Sequence, residues 1–221
     1  MLNSRDEIHL AASPLAVSWF LGFDSLMEFI AFIIAIAVAY QALKGYRLSK
    51  ERTLLYLHFS FVLLGAGLLI DGLSGIIVLI SQFHRALLYL YALGYTINFI
   101  TQLVAYGILV VAYLQQTRNV SLELAVAAPL ASVLFFERNA FTELILIFLL
   151  VYITAQMGIN YSINRTTNAL LVLGAFASLA LAHFFFLMFI LIPIFFPLAH
   201  IAQLFGFLLL LAMLLRVNQA S

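Results

Sequence analysis

Asp71 sits inside the apolar run LLYLHFSFVLLGAGLLIDGLSGIIVLIS, about ten residues from its end. In a helix rising ~1.5 Å per residue that is roughly 15 Å deep. A carboxyl at such depth needs a partner, a water-filled cavity or a retained proton, and by default it marks a functional site. His183 lies at a matching depth in the second half of the chain. Asn98, Gln102, His200 and Gln203 fall in the same half of their own apolar runs. Asn98 and Gln102 share a helix face at i, i+4, and His200 and Gln203 share one at i, i+3. If the helices pack with these faces inward, the six converge on one polar cavity that binds a small solute or a proton. No Lys or Arg occupies a mid-membrane position, so His183 is the expected counter-charge for Asp71, with a proton exchanged between them. The plainer alternative is interhelical hydrogen bonding that only holds the bundle together. Glu28 and Glu143 lie nearer the helix starts, where a carboxylate favours the dipole; they are expected as interface groups or as gates.

Metal and redox chemistry find little here. There is no cysteine, which removes thiolate sites and iron–sulfur clusters, and no HExxH motif. His183, His200 and His84 are the candidate ligands for a metal or haem, as the pairs 183/200 and 84/200, with His58 left over. No resident cofactor is expected. A Gly-rich phosphate loop and a nucleophile elbow are absent, so the reading leans away from an enzyme.

These groups need helices to hold them. The 221 residues are 66% hydrophobic and 9% charged, far from the roughly half apolar and quarter charged balance of soluble domains. The bilayer must be the main solvent, and a net charge of +1 offers no basic face for nucleic acid. Seven apolar runs are expected as transmembrane helices: 25–43, 53–81, 87–114, 120–136, 141–160, 168–191 and 196–216. Residues 1–22 are expected to lie outside as a short interfacial helix, with Pro14 at its first position and Trp19 at the interface. Asp24 or Ser25 is the expected cap of the first span. No removed signal peptide is expected, because residues 1–22 lack a basic start and a cleavage site.

Basic residues set the orientation. Lys44, Arg47, Lys50 and Arg52 crowd the first loop, and Arg118, Arg165 and Arg216 fall on the same side if every span crosses. The opposite side has only Arg5, Arg85 and Arg138. The N-terminus is therefore expected outside, the C-terminus inside, and the protein in the cell membrane.

The chain also resembles itself. At an offset of 115, Glu28 meets Glu143, Gln41 meets Gln156, Tyr46 meets Tyr161, Lys50 meets Arg165 and Phe61 meets Phe176. At an offset of 101, Gln102 meets Gln203 and Tyr106 meets Phe207. Polar residues are scarce here, so their coincidence carries weight that Leu matches do not. The expected plan is a single membrane domain over 23–221, with halves at 23–114 and 141–217 and the short run 120–136 as linker helix.

This three-one-three plan resembles the SWEET and PQ-loop membrane proteins. In that group a Pro-Gln pair in the first helix of each half precedes a basic loop. The glutamines stand here as Tyr40-Gln41 and Ala155-Gln156, before KGYRLSKER and NYSINRTT, without the proline. The resemblance implies solute transport through a cavity between the halves. Microbial rhodopsins share the seven-helix topology, but the last span has no lysine to hold retinal. Two rivals to a solute or proton binder remain open. One is a sensor, assembly factor or structural subunit acting through a membrane-protein partner or a second copy; the other is a haem b electron-transfer subunit.

Overall fold

The computed structural model describes residues 14–81, 85–117 and 140–219. They form six α-helices: α1 (Pro14–Ser49), α2 (Arg52–Ile80), α3 (Arg85–Thr117), α4 (Ala140–Asn164), α5 (Thr167–Phe189) and α6 (Phe195–Gln219). All six are long and apolar enough to cross a membrane, and no strand occurs among the described residues. Lipid offers no partner to an open backbone group, so the helix, which satisfies its own, is the form such runs take. The expected linker helix, 120–136, lies outside the described residues, as does the start of the expected surface helix.

The first helix departs from expectation. A separate surface helix ending near residue 22 and a span beginning near 25 are instead one unbroken helix of 36 residues. Asp24 and Ser25 are not caps. They lie in its interior and are buried, and the Asp24 carboxylate bonds to side chains of α3 and α6. A side chain satisfied by other helices does not compete for its own backbone, so the helix has no reason to stop.

Packing follows chain order. Each helix lies against the next, and α6 closes on α1. α1 and α6 run parallel, tied by Asp24–His200 at one end and by Asn218 Nδ2 to the Gln41 carbonyl (3.0 Å) at the other. α2 runs against them: His58, near its start, lies 2.9 Å from the Ala39 carbonyl. A cavity opens in one half of this ring. The other half holds the bulkiest buried side chains, and we call these the cavity end and the far end.

Burial recurs at the two sequence offsets. At 115, the buried residues Ala31, Ala35, Val38 and Ala42 of α1 correspond to Leu146, Leu150, Ile153 and Met157 of α4, also buried. Phe61 and Leu64 of α2 correspond likewise to Phe176 and Leu179 of α5. At 101, Gln102, Tyr106 and Leu109 of α3 correspond to Gln203, Phe207 and Leu210 of α6, all buried. The turns agree as well. Among the described residues, Lys50 (φ 60°) and Arg165 (φ 45°) are the non-glycine residues with positive φ, and they stand 115 apart. Each ends its helix by donating its N–H to a tyrosine carbonyl, Tyr46 (2.8 Å) or Tyr161 (2.9 Å).

In the far half of the ring, Phe61, Tyr106, Phe176 and Phe207 form one tier, the four largest fully buried side chains of the described bundle. Ser60 Oγ donates to the Ala105 carbonyl (3.0 Å), which levels Phe61 with Tyr106. A Cβ on Gly206 would lie 2.9 Å from the Ala175 carbonyl, which levels Phe176 with Phe207. Phe61 meets Phe207 edge to face at 5.3 Å.

Candidate functional site

The cavity has a volume of about 370 Å³ and takes its wall from all six helices. Asp24 and Glu28 come from α1, Asp71 from α2, Asn98 and Gln102 from α3, Glu143 from α4, His183 from α5 and Gln203 from α6. Phe20, Phe189 and Phe196 cluster at the helix ends beside it, with ring centroids 4.2 to 5.5 Å apart. Four carboxylates therefore line it, and no Lys or Arg does.

Small residues bring the acids together. Gly72 lets α1 approach α2: a Cβ there would lie 3.3 Å from Glu28 Cβ and 3.4 Å from the Ser25 carbonyl. Gly67 does the same for α3, where a Cβ would run into Thr101 Oγ1 and lie 2.9 Å from Asn98 Oδ1. Such close approach through glycine is usual where helices meet in lipid.

The polar side chains form three groups. In the first, Asn98 Nδ2 donates to Asp71 Oδ2 (2.9 Å), and Gln102 Nε2 donates to Asn98 Oδ1 (3.0 Å). In the second, Tyr91 Oη donates to Asp24 Oδ2 (2.9 Å), and Asp24 Oδ1 lies 3.2 Å from His200 Nε2. Phe23, Phe186 and Phe196 present edges or faces to the His200 ring at 4.7 to 5.9 Å and hold it in place. In the third, His183 Nδ1 lies 2.9 Å from Glu143 Oε2, and Tyr106 Oη lies 3.4 Å from His183 Nε2. A neutral His183 with its proton on Nδ1 fits both contacts, donating to Glu143 and accepting from Tyr106. Two buried oxygens that line the cavity, Glu28 Oε2 and Gln102 Oε1, have no hydrogen-bond partner. Burying a carboxylate oxygen this way is unfavourable unless a cation, a proton or water reaches it.

All six residues expected at the site are buried and belong to these groups or to the cavity wall. Asn98 and Gln102 join through the helix spacing read from the sequence. His183 does not serve as the counter-charge of Asp71. It pairs with Glu143, while an amide meets Asp71. Helix depth fixes which residues are level, but only the order of helices round the ring decides which of them touch. Glu28 and Glu143, expected as interface groups or gates, line the same cavity.

Asp24 escaped the sequence reading because its place before an apolar run imitates a helix cap. The clue was the length of apolar chain on both sides of it, from Leu15 onward. In sequence Tyr91 and Tyr95 look like any interfacial aromatic residue, yet Tyr91 anchors Asp24 and Tyr95 lines the cavity.

Of the haem and metal candidates, His84 lies outside the described residues. His183 meets Glu143 through Nδ1 and Tyr106 through Nε2. His200 keeps company with two acids: Asp24, Glu28 and His200 each present one ligand atom within 4.8 Å of the others.

Fold and site together define a multi-pass helical membrane protein with an acidic cavity buried among its helices. No protein-family model, no curated protein and no solved structure matches the chain.

Proposed function

We propose that this protein binds a small, positively charged solute in the central cavity and passes it across the membrane. One observation carries the reading: four carboxylates and no Lys or Arg line a cavity of about 370 Å³, in which His183 is the one imidazole. Opposite charge must enter such a space, as a cation or as protons, because acids desolvated together repel one another. The surrounding Phe rings suit the same occupant, since aromatic faces attract cations.

Passage requires a barrier that can open. The buried aromatic residues Phe61, Tyr106, Phe176 and Phe207, which lie beyond the lining of the cavity, are the candidate barrier, and Tyr106 touches His183 of the cavity wall. The recurrence of burial at the two offsets, and of the Lys50 and Arg165 turns at the first of them, supports two repeated three-helix halves. With residues 120–136 as a seventh, linking helix, both halves begin on the same side, the arrangement in which halves rock about a shared site. Lys44, Arg47, Lys50, Arg52, Arg165 and Arg216 all belong to far-end helix termini or turns. By the positive-inside rule this end is cytoplasmic and the cavity faces outward in the cell membrane.

The test is solute binding and flux by the purified protein in liposomes, comparing small cations, neutral solutes and anions of similar size. Cations alone should stabilise the protein and exchange across the bilayer, and Asp71→Asn should weaken both without unfolding it. Stabilisation by neutral solutes as strong as by cations would overturn the reading. A silent Asp71→Asn would instead favour a scaffold whose polar groups only hold helices together.

A further inference from the structure

We infer that Asp24, Glu28 and His200 form a binding site for a divalent transition-metal ion, Zn²⁺ or Mn²⁺. The inference rests on the reading of the cavity as a cation site and names the cation. Three ligand atoms, one imidazole nitrogen and two carboxylate oxygens, lie within 4.8 Å of one another. All three residues are buried. Metal–nitrogen and metal–oxygen bonds of ~2.0–2.1 Å in a tetrahedral site put neighbouring ligand atoms roughly 3.3 Å apart. His200 Nε2 and Asp24 Oδ1 already stand at 3.2 Å, so the ion would take the place of the proton between them.

Glu28 supplies the independent observation. It is only 6% exposed, it lines the cavity, and its Oε2 has no hydrogen-bond partner. A carboxylate oxygen left this way beside an aspartate and a histidine is a ligand position waiting for a cation.

The outer contacts suit ligation. Tyr91 Oη holds Asp24 Oδ2 at 2.9 Å and so turns Oδ1 toward His200. Three Phe rings fix the imidazole plane. Metal-bound carboxylates and imidazoles depend on such partners for their orientation. A set of one imidazole and two carboxylates selects transition metals over Mg²⁺ and Ca²⁺, which take oxygen ligands in larger number. Protein supplies three ligands, and the cavity side leaves the next position open to water or to Asp71.

The experiment measures Zn²⁺ and Mn²⁺ binding by the full chain in detergent micelles, with tetramethylammonium as the organic comparison cation. One equivalent of metal per chain is expected. Glu28→Gln and His200→Gln should each weaken it about tenfold or more. His58→Gln, a histidine at the far end, should not. Bound Mn²⁺ should also show spin-echo modulation from one directly coordinated ¹⁴N, a readout that needs no substitution and therefore survives a variant that fails to fold. Absence of that modulation, or Zn²⁺ affinity unchanged by Glu28→Gln, would overturn the metal site. If tetramethylammonium still binds, only the metal inference falls. If neither cation binds, the cation reading of the cavity falls with it.

Discussion

The two three-helix segments, α1–α3 and α4–α6, bury many of the same register positions but put different chemistry on them. Glu28 and Gln102 in the first correspond to Glu143 and Gln203 in the second, and all four line the cavity. Around this shared acid and amide the segments diverge. Asp71 and Asn98 of the first stand where the second has Phe186 and Ala199. His183 and His200 of the second stand where the first has Leu68 and Phe99. The further acids and amide lie in the first segment and both buried imidazoles of the described residues in the second, so each carboxylate–imidazole pair depends on how the helices assemble. Asp24–His200 joins the two segments, while Glu143–His183 lies within the second. Packing, by contrast, is shared. Small side chains in α1 (Ala31, Ala35, Ala42) and large ones in α4 (Leu146, Leu150, Met157) occupy corresponding buried positions, which lets α1 lie close against α2 and α6. The lesson is that burial pattern tolerates wide changes of size and polarity provided the face is kept.

The comparison breaks most easily at the aromatic tier. Phe61→Ala and Phe176→Ala remove corresponding, fully buried rings. Each should cost about 3 kcal/mol, the low end for a buried Phe, since lipid solvates apolar groups better than water does. Equal losses in thermal unfolding would support equivalent roles; loss at one position alone would end the equivalence.

Next come the paired acids. Glu28→Gln should weaken cation binding about tenfold or more, whereas Glu143→Gln should weaken it by about threefold or less, because His183 already meets the Glu143 carboxylate. Titration of both variants with Zn²⁺ decides this, and the reverse order would shift the cation to the opposite wall.

A smaller effect separates Gly67 from its counterpart Ala182. A methyl at Gly67 meets Thr101 Oγ1 and the Asn98 backbone (3.1 Å to Cα), so Gly67→Ala should destabilise by about 1–3 kcal/mol through overpacking. Ala182→Gly, at a buried position with no such clash, should cost about 1–2 kcal/mol through helix propensity and the lost methyl. Thermal melting of the two variants sharpens the contrast between tight and ordinary helix contacts.

The smallest effect belongs to the turns. Lys50 and Arg165 both adopt positive φ, a conformation that disfavours side chains by roughly 1–2 kcal/mol. Lys50→Gly and Arg165→Gly should each raise stability by about 1 kcal/mol or less, part of the gain being offset by glycine's greater freedom when unfolded. A rise at one turn and a fall at the other would separate them.

Sequence by itself determined the solvent and the six long apolar helices of the described residues, though not where the first of them begins. Runs of apolar residues this long admit only helices in lipid, and polar residues set deep within them are few enough to single out Asp71, Asn98, Gln102, His183, His200 and Gln203. It also marked Lys50 with Arg165 and Phe61 with Phe176 as counterparts, because residue type and offset survive without coordinates. Tertiary structure alone decided the partners: His183 with Glu143, His200 with Asp24, Asp71 with Asn98. The physical reason is that lipid-facing and inward-facing surfaces of these helices are almost equally apolar, so periodicity does not reveal which face is inside. Asp24 shows the same limit, since an acid near a helix start has identical sequence context as a cap or as a buried partner of other helices. Only the approach of Tyr91 from α3 and His200 from α6 makes it the latter.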